Sequence, residues 1–129
     1  MESGTFPAQE NLAGRSVWTL PEELLQLARD GAGDVVADVI IVFQEDTASR
    51  LVNLSNAVRT NNCAQIKAEA HALKGSSSQL GVTEMARMCS EMEQLGISGN
   101  LEAAGTLLHR IELHFQEVGK AMSTLRLGD

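Results

Sequence analysis

The chain has 129 residues, 43% of them hydrophobic but only 3% aromatic, with no Tyr, one Trp and a formal net charge of -7 at pH 7. That length supports one hydrophobic core and a single domain, the composition favours Leu, Val, Met and Ala packed between helices over a β-sandwich, and the acidic balance excludes sequence-independent binding of nucleic acid, which depends on basic charge. Cys63 and Cys89 have neither metal-ligand spacing nor a secretory context and read as free thiols, while no apolar run approaches the roughly 20 residues that span a bilayer, so a cytoplasmic chain without membrane association is expected.

Residues 1–17 contain Gly4, Pro7 and Gly14 among polar residues without periodicity and are expected to form a flexible tail, with Phe6 and Val17 able to dock, ahead of a helical domain over 18–129. Thr19-Leu20-Pro21-Glu22 fits a capping box with Pro in the first turn, which predicts a short helix from Leu20 to Arg29, ended by Gly31 and Gly33. Asp34 then suits the N-cap of a long helix from Val35 to about Thr60. Its bundle-facing stripe is Val36, Ile40, Phe43, Thr47, Leu51, Leu54 and Val58, widened by Val35, Val39 and Val42. Asn61-Asn62 makes the turn into a helix that begins near Gln65 and stops at Gly81, a residue suited to a left-handed cap. A further helix over about Thr83 to Leu95 presents Met85, Met88, Cys89 and Met92 on one side, and Gly96 to Asn100 is expected to be a loop. Leu101, Ala104, Leu108, Ile111, Phe115, Val118, Met122 and Leu125 alternate three and four residues apart and mark the last helix. Four long amphipathic helices joined by short turns predict an all-α fold, an antiparallel four-helix bundle with a short additional N-terminal helix lying across one end or side.

Chemistry concentrates on the helix that ends at Gly81. At about 100° per residue, Ala70, Leu73, Ser77 and Leu80 fall within about 40° of Ile66 and form its inward stripe. His71 lies roughly 140° from Ile66, with Lys67 one turn before it, Lys74 and Gly75 one turn after it and Ser78 two turns after it on the same side. An exposed imidazole flanked by cations is largely neutral at pH 7 and nucleophilic. Once such a ring carries a phosphoryl group, the same ammonium groups attract its charge. Gly75 weakens a helix interior but leaves room for another molecule to approach the ring. Periodicity alone leaves a second reading open, a solvated surface His beside a tolerated Gly.

The run Ala70-His71-Ala72-Leu73-Lys74-Gly75-Ser76, followed by Leu80-Gly81, resembles the signature of histidine-containing phosphotransfer domains, the His-bearing intermediates of multistep phosphorelays. The likeness extends over most of Asp34 to Leu125. It implies that Nε2 of His71 accepts a phosphoryl group from an aspartyl phosphate on a receiver domain and passes it to the Asp of a second receiver. It also implies that Glu93, 22 residues after His71, hydrogen-bonds Nδ1 and fixes the tautomer; by its place at the edge of a core stripe, Glu93 equally reads as an ordinary boundary carboxylate. Docking of receiver domains is expected around His71 on Gly75, Ser78 and Gln79, with apolar help from Leu20 or Leu24 of the first helix. Mg²⁺ is expected on the receiver and no cofactor on this chain, which is expected to act as a monomeric carrier, not as an enzyme.

Other constellations are weaker. His109 and His114, five residues apart, lie on different helix faces and cannot chelate one metal, and no Glu-x-x-His pair is present, so no metal site is expected. The chain has no P-loop, dinucleotide fingerprint, kinase loop or nucleophile elbow, and Ser76-Ser77-Ser78 has no general base placed for it. A non-catalytic adaptor that binds receivers without being phosphorylated is the alternative function. A bundle metalloprotein is the third.

Overall fold

Each stripe of apolar residues must find a partner, and in the computed structural model, which describes residues 17–125, the helices meet this need by packing on one another. Among the described residues they are α1 (Glu22–Leu27), α2 (Gly33–Arg59), α3 (Cys63–Gln79), α4 (Thr83–Ser98) and α5 (Leu101–Ser123). Turns of three, three and two residues separate the four long helices, which forces antiparallel neighbours and closes α2 to α5 into a bundle, with α1 packed beside α2. Residues 1–16, and with them Phe6 and nearly all of the expected tail, lie outside the described residues.

Val36, Ile40, Phe43, Leu51 and Leu54 of α2 meet Ile66, Ala70 and Leu73 of α3, the Met85, Met88, Cys89 and Met92 side of α4, and Ala104, Leu108, Ile111, Val118 and Met122 of α5 in one core. Burying a side chain of this size contributes about 1.5–3 kcal/mol, so the stripes hold the bundle together far more than helix propensity does. Asn62 and Asn100 accept the main-chain N–H groups of Gln65 and Ala103 and so start α3 and α5. Gly81, at φ 72°, reverses the chain after α3. The indole of Trp18, buried in the same core, donates to the Leu80 carbonyl at 2.7 Å and ties the segment before α1 to the C-terminal end of α3.

Several local expectations are corrected. Pro21, not Thr19, precedes the first turn of α1 and no side chain caps it; the α-helix stops at Leu27 and runs into a π-type turn over Ala28–Ala32, in which Gly31 breaks away at φ 99°. Gly33 continues into α2 as its first residue, so Asp34 sits inside the first turn, where an acidic residue suits the positive helix end, and Ala32 takes the N-cap place with no side-chain cap. Cys63 starts α3 two residues before Gln65. Val35, Val39 and Val42 do not widen the core stripe: they are 57%, 36% and 62% exposed, because the arc of α2 that the other helices cover is narrower than its apolar arc. Ala57 takes the core place expected for Val58, which is half-buried. α4 continues to Ser98, so Gly96 is a buried helical residue instead of a loop residue.

Candidate functional site

Full burial of Ala70 and Leu73 sets the rotation of α3, and that rotation turns His71 outward with its side chain 69% exposed. Across the α3–α4 interface stands Glu93, on α4 one residue past buried Met92, with its side chain 13% exposed. Its carboxylate is divided between two partners: Oε2 lies 3.1 Å from Nδ1 of His71, and Oε1 accepts a hydrogen bond from Nζ of Lys74 at 3.0 Å. A carboxylate only accepts, so Nδ1 carries the proton in this contact, and in the neutral ring Nε2 is then the nitrogen that keeps its lone pair. The ammonium of Lys74 first, and the imidazole of His71 second, hold the Glu93 carboxyl below its ordinary range against the opposing effect of partial burial. The result is an ionised acceptor under the ring, kept ionised by the neighbouring cation.

The other sequence candidates divide into those the helix places around the ring and those it does not. Lys67 is exposed one turn before His71 and makes no ion pair among the described residues. Gly75 is exposed one turn after it, and a methyl group there would meet nothing within 4 Å. Ser78 and Gln79 are exposed on the same helix. Leu20 and Leu24, by contrast, are half-buried against the core. Val35, Val39 and Val42 are among the exposed large apolar side chains, which on α2 also include Ile41 and Val52. Arg50 Nη1 to Glu69 Oε1 at 3.2 Å, with Asn53 near the other oxygen at 3.5 Å, fixes the register of α2 against α3. Running antiparallel from that cross-link, the part of α2 bearing Val42 and Val39 passes alongside the part of α3 that ends at Gln79. Periodicity assigns these valines to the core stripe and gives Arg50 and Glu69 no part; the second stripe of valines is visible at helical spacing, but not which stripe stays uncovered.

A bundle with an outward imidazole, a carboxylate on its Nδ1 and an ammonium on that carboxylate defines a class of small helical proteins built to present one ring nitrogen. Residues 38–121 match the Hpt domain family, and the chain belongs to that family. It is 29% identical over 97 residues to histidine-containing phosphotransfer protein 2 of Arabidopsis thaliana, an alignment taking in 73% of this chain and 62% of the plant protein. It is 24% identical over 75 residues to multistep phosphorelay regulator 1 of Schizosaccharomyces pombe, covering 58% of this chain and 25% of the yeast protein. Its fold resembles the crystal structure of histidine-containing phosphotransfer protein B from Pseudomonas aeruginosa PAO1, with a TM-score of 0.71 and 25% identity over 83% of this chain and 96% of that one.

Among the described residues no group of three or more His, Cys, Asp or Glu side chains is disposed to hold a metal ion, and no helix is long and apolar enough to cross a membrane. His109 is exposed, whereas His114 is half-buried with its Nε2 enclosed and without a hydrogen-bond partner among the described residues.

Proposed function

We propose that this protein is a phosphorelay intermediate in which Nε2 of His71 accepts a phosphoryl group from the aspartyl phosphate of a receiver domain and passes it to a second receiver. The observation that carries this reading is the Glu93 contact at 3.1 Å to Nδ1 of an exposed ring, which in the neutral imidazole makes Nε2 the nitrogen with the free lone pair. In the accepting step a phosphorus–oxygen bond of the aspartyl phosphate breaks as a nitrogen–phosphorus bond to Nε2 forms, and the receiver's carboxylate leaves. Such a transfer needs an aligned nucleophile and neutralised charge more than covalent assistance. Lys67 and Lys74 supply positive charge on this side, and the receiver is expected to supply Mg²⁺ and its acidic pocket.

Gly75 supports close approach, because its hydrogen leaves open space one turn from the ring and the fold itself does not require it. The receiver is expected to seat on Gly75, Ser78 and Gln79 of α3 and on the exposed valines of α2, with Leu24 of α1 and Leu20 just before it acting through their packing on the core. The chain acts as a carrier without a nucleotide site, as a monomer in the cytoplasm.

The test is acceptance of label. A receiver domain charged with a radioactive small-molecule phosphodonor is mixed with the wild-type protein and with His71→Gln. Acid-labile, base-stable label should appear on the wild type and not on the variant. A wild type that binds the charged receiver yet stays unlabelled would contradict the proposal in favour of a non-catalytic adaptor.

A further inference from the structure

We infer that Gly96 is a positioning residue: by letting α4 lie against the backbone of α3, it sets the spacing at which the Glu93 carboxylate reaches both Nδ1 of His71 and Nζ of Lys74. The inference rests on the reading of His71 as the phosphoryl acceptor, but its geometry stands apart from that reading. Gly96 is buried inside α4, three residues and thus about one turn beyond Glu93. A Cβ at that position would lie 3.0 Å from the main-chain nitrogen of Lys67, 3.1 Å from Cγ2 of Ile66 and 3.2 Å from the carbonyl oxygen of Cys63. Two of these three obstacles are backbone atoms of α3, which cannot swing aside as the end of a flexible side chain would.

Lys67 lies four residues, about one turn, before His71 on α3. The glycine contact and the Glu93–His71 contact are therefore consecutive rungs of the same helix pair. A methyl group at 96 forces the two helices apart at its own rung, and the rigid helices carry that displacement to the next. Glu93 has little slack to absorb it, since each of its oxygens is already committed at 3.1 Å and 3.0 Å. Both distances already lie near the long end of the roughly 2.7–3.2 Å range of N–H···O hydrogen bonds, so a few tenths of an ångström more takes them out of it. Loss of the contact frees the ring to exchange between tautomers, so that Nε2 carries the proton part of the time and cannot act as a nucleophile while it does. Gly105 serves as the control, because a Cβ there meets only Cγ1 of Val58, at 4.0 Å.

The experiment compares wild type, Gly96→Ala, Glu93→Asp and Gly105→Ala, each checked for helical content and cooperative melting. The ring-nitrogen chemical shifts of His71 are read in the unphosphorylated proteins at a pH where the imidazole is neutral, and the rate of label acceptance from a charged receiver is read beside them. Wild type and Gly105→Ala should show a single protonated Nδ1. Gly96→Ala should show shifts averaged between tautomers and an acceptance rate lower by about tenfold. Glu93→Asp, which withdraws the carboxylate by one methylene without disturbing the backbone contact, should show the same averaging; it carries the test if Gly96→Ala does not fold. Wild-type-like shifts in a folded Gly96→Ala, or in Glu93→Asp, would overturn the inference. If all shifts behave as expected while the wild type accepts no label, the spacing role stands and the carrier reading fails.

Discussion

At the scale of single residues, Gly75 and Glu93 separate what the fold needs from what the site needs. Gly75 sits in a helix interior where a side chain would meet nothing, so Gly75→Ala should raise stability by about 0.8–1 kcal/mol through helix propensity alone. The same substitution adds a methyl group beside the ring that, under the proposed function, a receiver approaches. A higher melting temperature together with slower phosphoryl acceptance is the expected outcome, from thermal denaturation and the labelling assay on one preparation. An unchanged transfer rate would remove Gly75 from the site. Helical spacing within one helix places Lys67, Lys74 and Gly75 beside His71 but fits a solvated surface His equally well; the resemblance carried by residues 70–76 supplies the role. Glu93 was legible only through the family resemblance, which implies an orienting residue 22 positions after His71; its own helix marks it merely as a boundary carboxylate.

Between helices, the α3–α4 pair was the least legible part of the molecule. Gly96 read as the start of a loop because glycine both ends helices and permits close approach, and only the partner helix decides between these uses. Val35, Val39 and Val42 read as core because periodicity shows an apolar arc but not how much of it the neighbours will cover. Thr47 was placed in the core correctly, yet its hydroxyl there has no hydrogen-bond partner among the described residues. An unpartnered buried hydroxyl costs about 1–3 kcal/mol. Thr47→Val keeps the branched shape and removes that penalty, and is expected to stabilise the bundle by about 1 kcal/mol in denaturant titrations. A destabilised Thr47→Val would mean that the hydroxyl is satisfied, for example by buried water.

For the whole molecule, the pH dependence of stability is expected to carry the signature of His114. Burial pushes this imidazole below its ordinary value of 6.5, and the nearby carboxylates of Glu84 and Glu117 only partly oppose it. The unfolded chain therefore takes up this proton first as pH falls. The stability in question is complete above about 6.5 and is lost as pH falls from there through the depressed folded-state value. His114→Phe, which keeps an aromatic ring between α4 and α5 but cannot titrate, should melt with a shallower decline between about pH 7 and pH 5 than the wild type. Parallel profiles for the two proteins would show that His114 is not the group responsible. Glu93 is held below its ordinary value, chiefly by Lys74, so its own contribution is present above about 4.5 and is lost only at lower pH, outside that window.

The central claim, that this family member carries a phosphoryl group between receivers, is tested most directly by isolating the labelled chain and following where its label goes. Protein charged on His71 by one receiver is purified away from it and mixed with an uncharged second receiver. Label leaving the chain and appearing as acid-stable, base-labile phosphate on the second receiver's Asp, faster than it is lost to water, is the result predicted here. Label that decays only to inorganic phosphate with every receiver that binds the chain would contradict the relay, leaving His71 a site that is modified but passes nothing on.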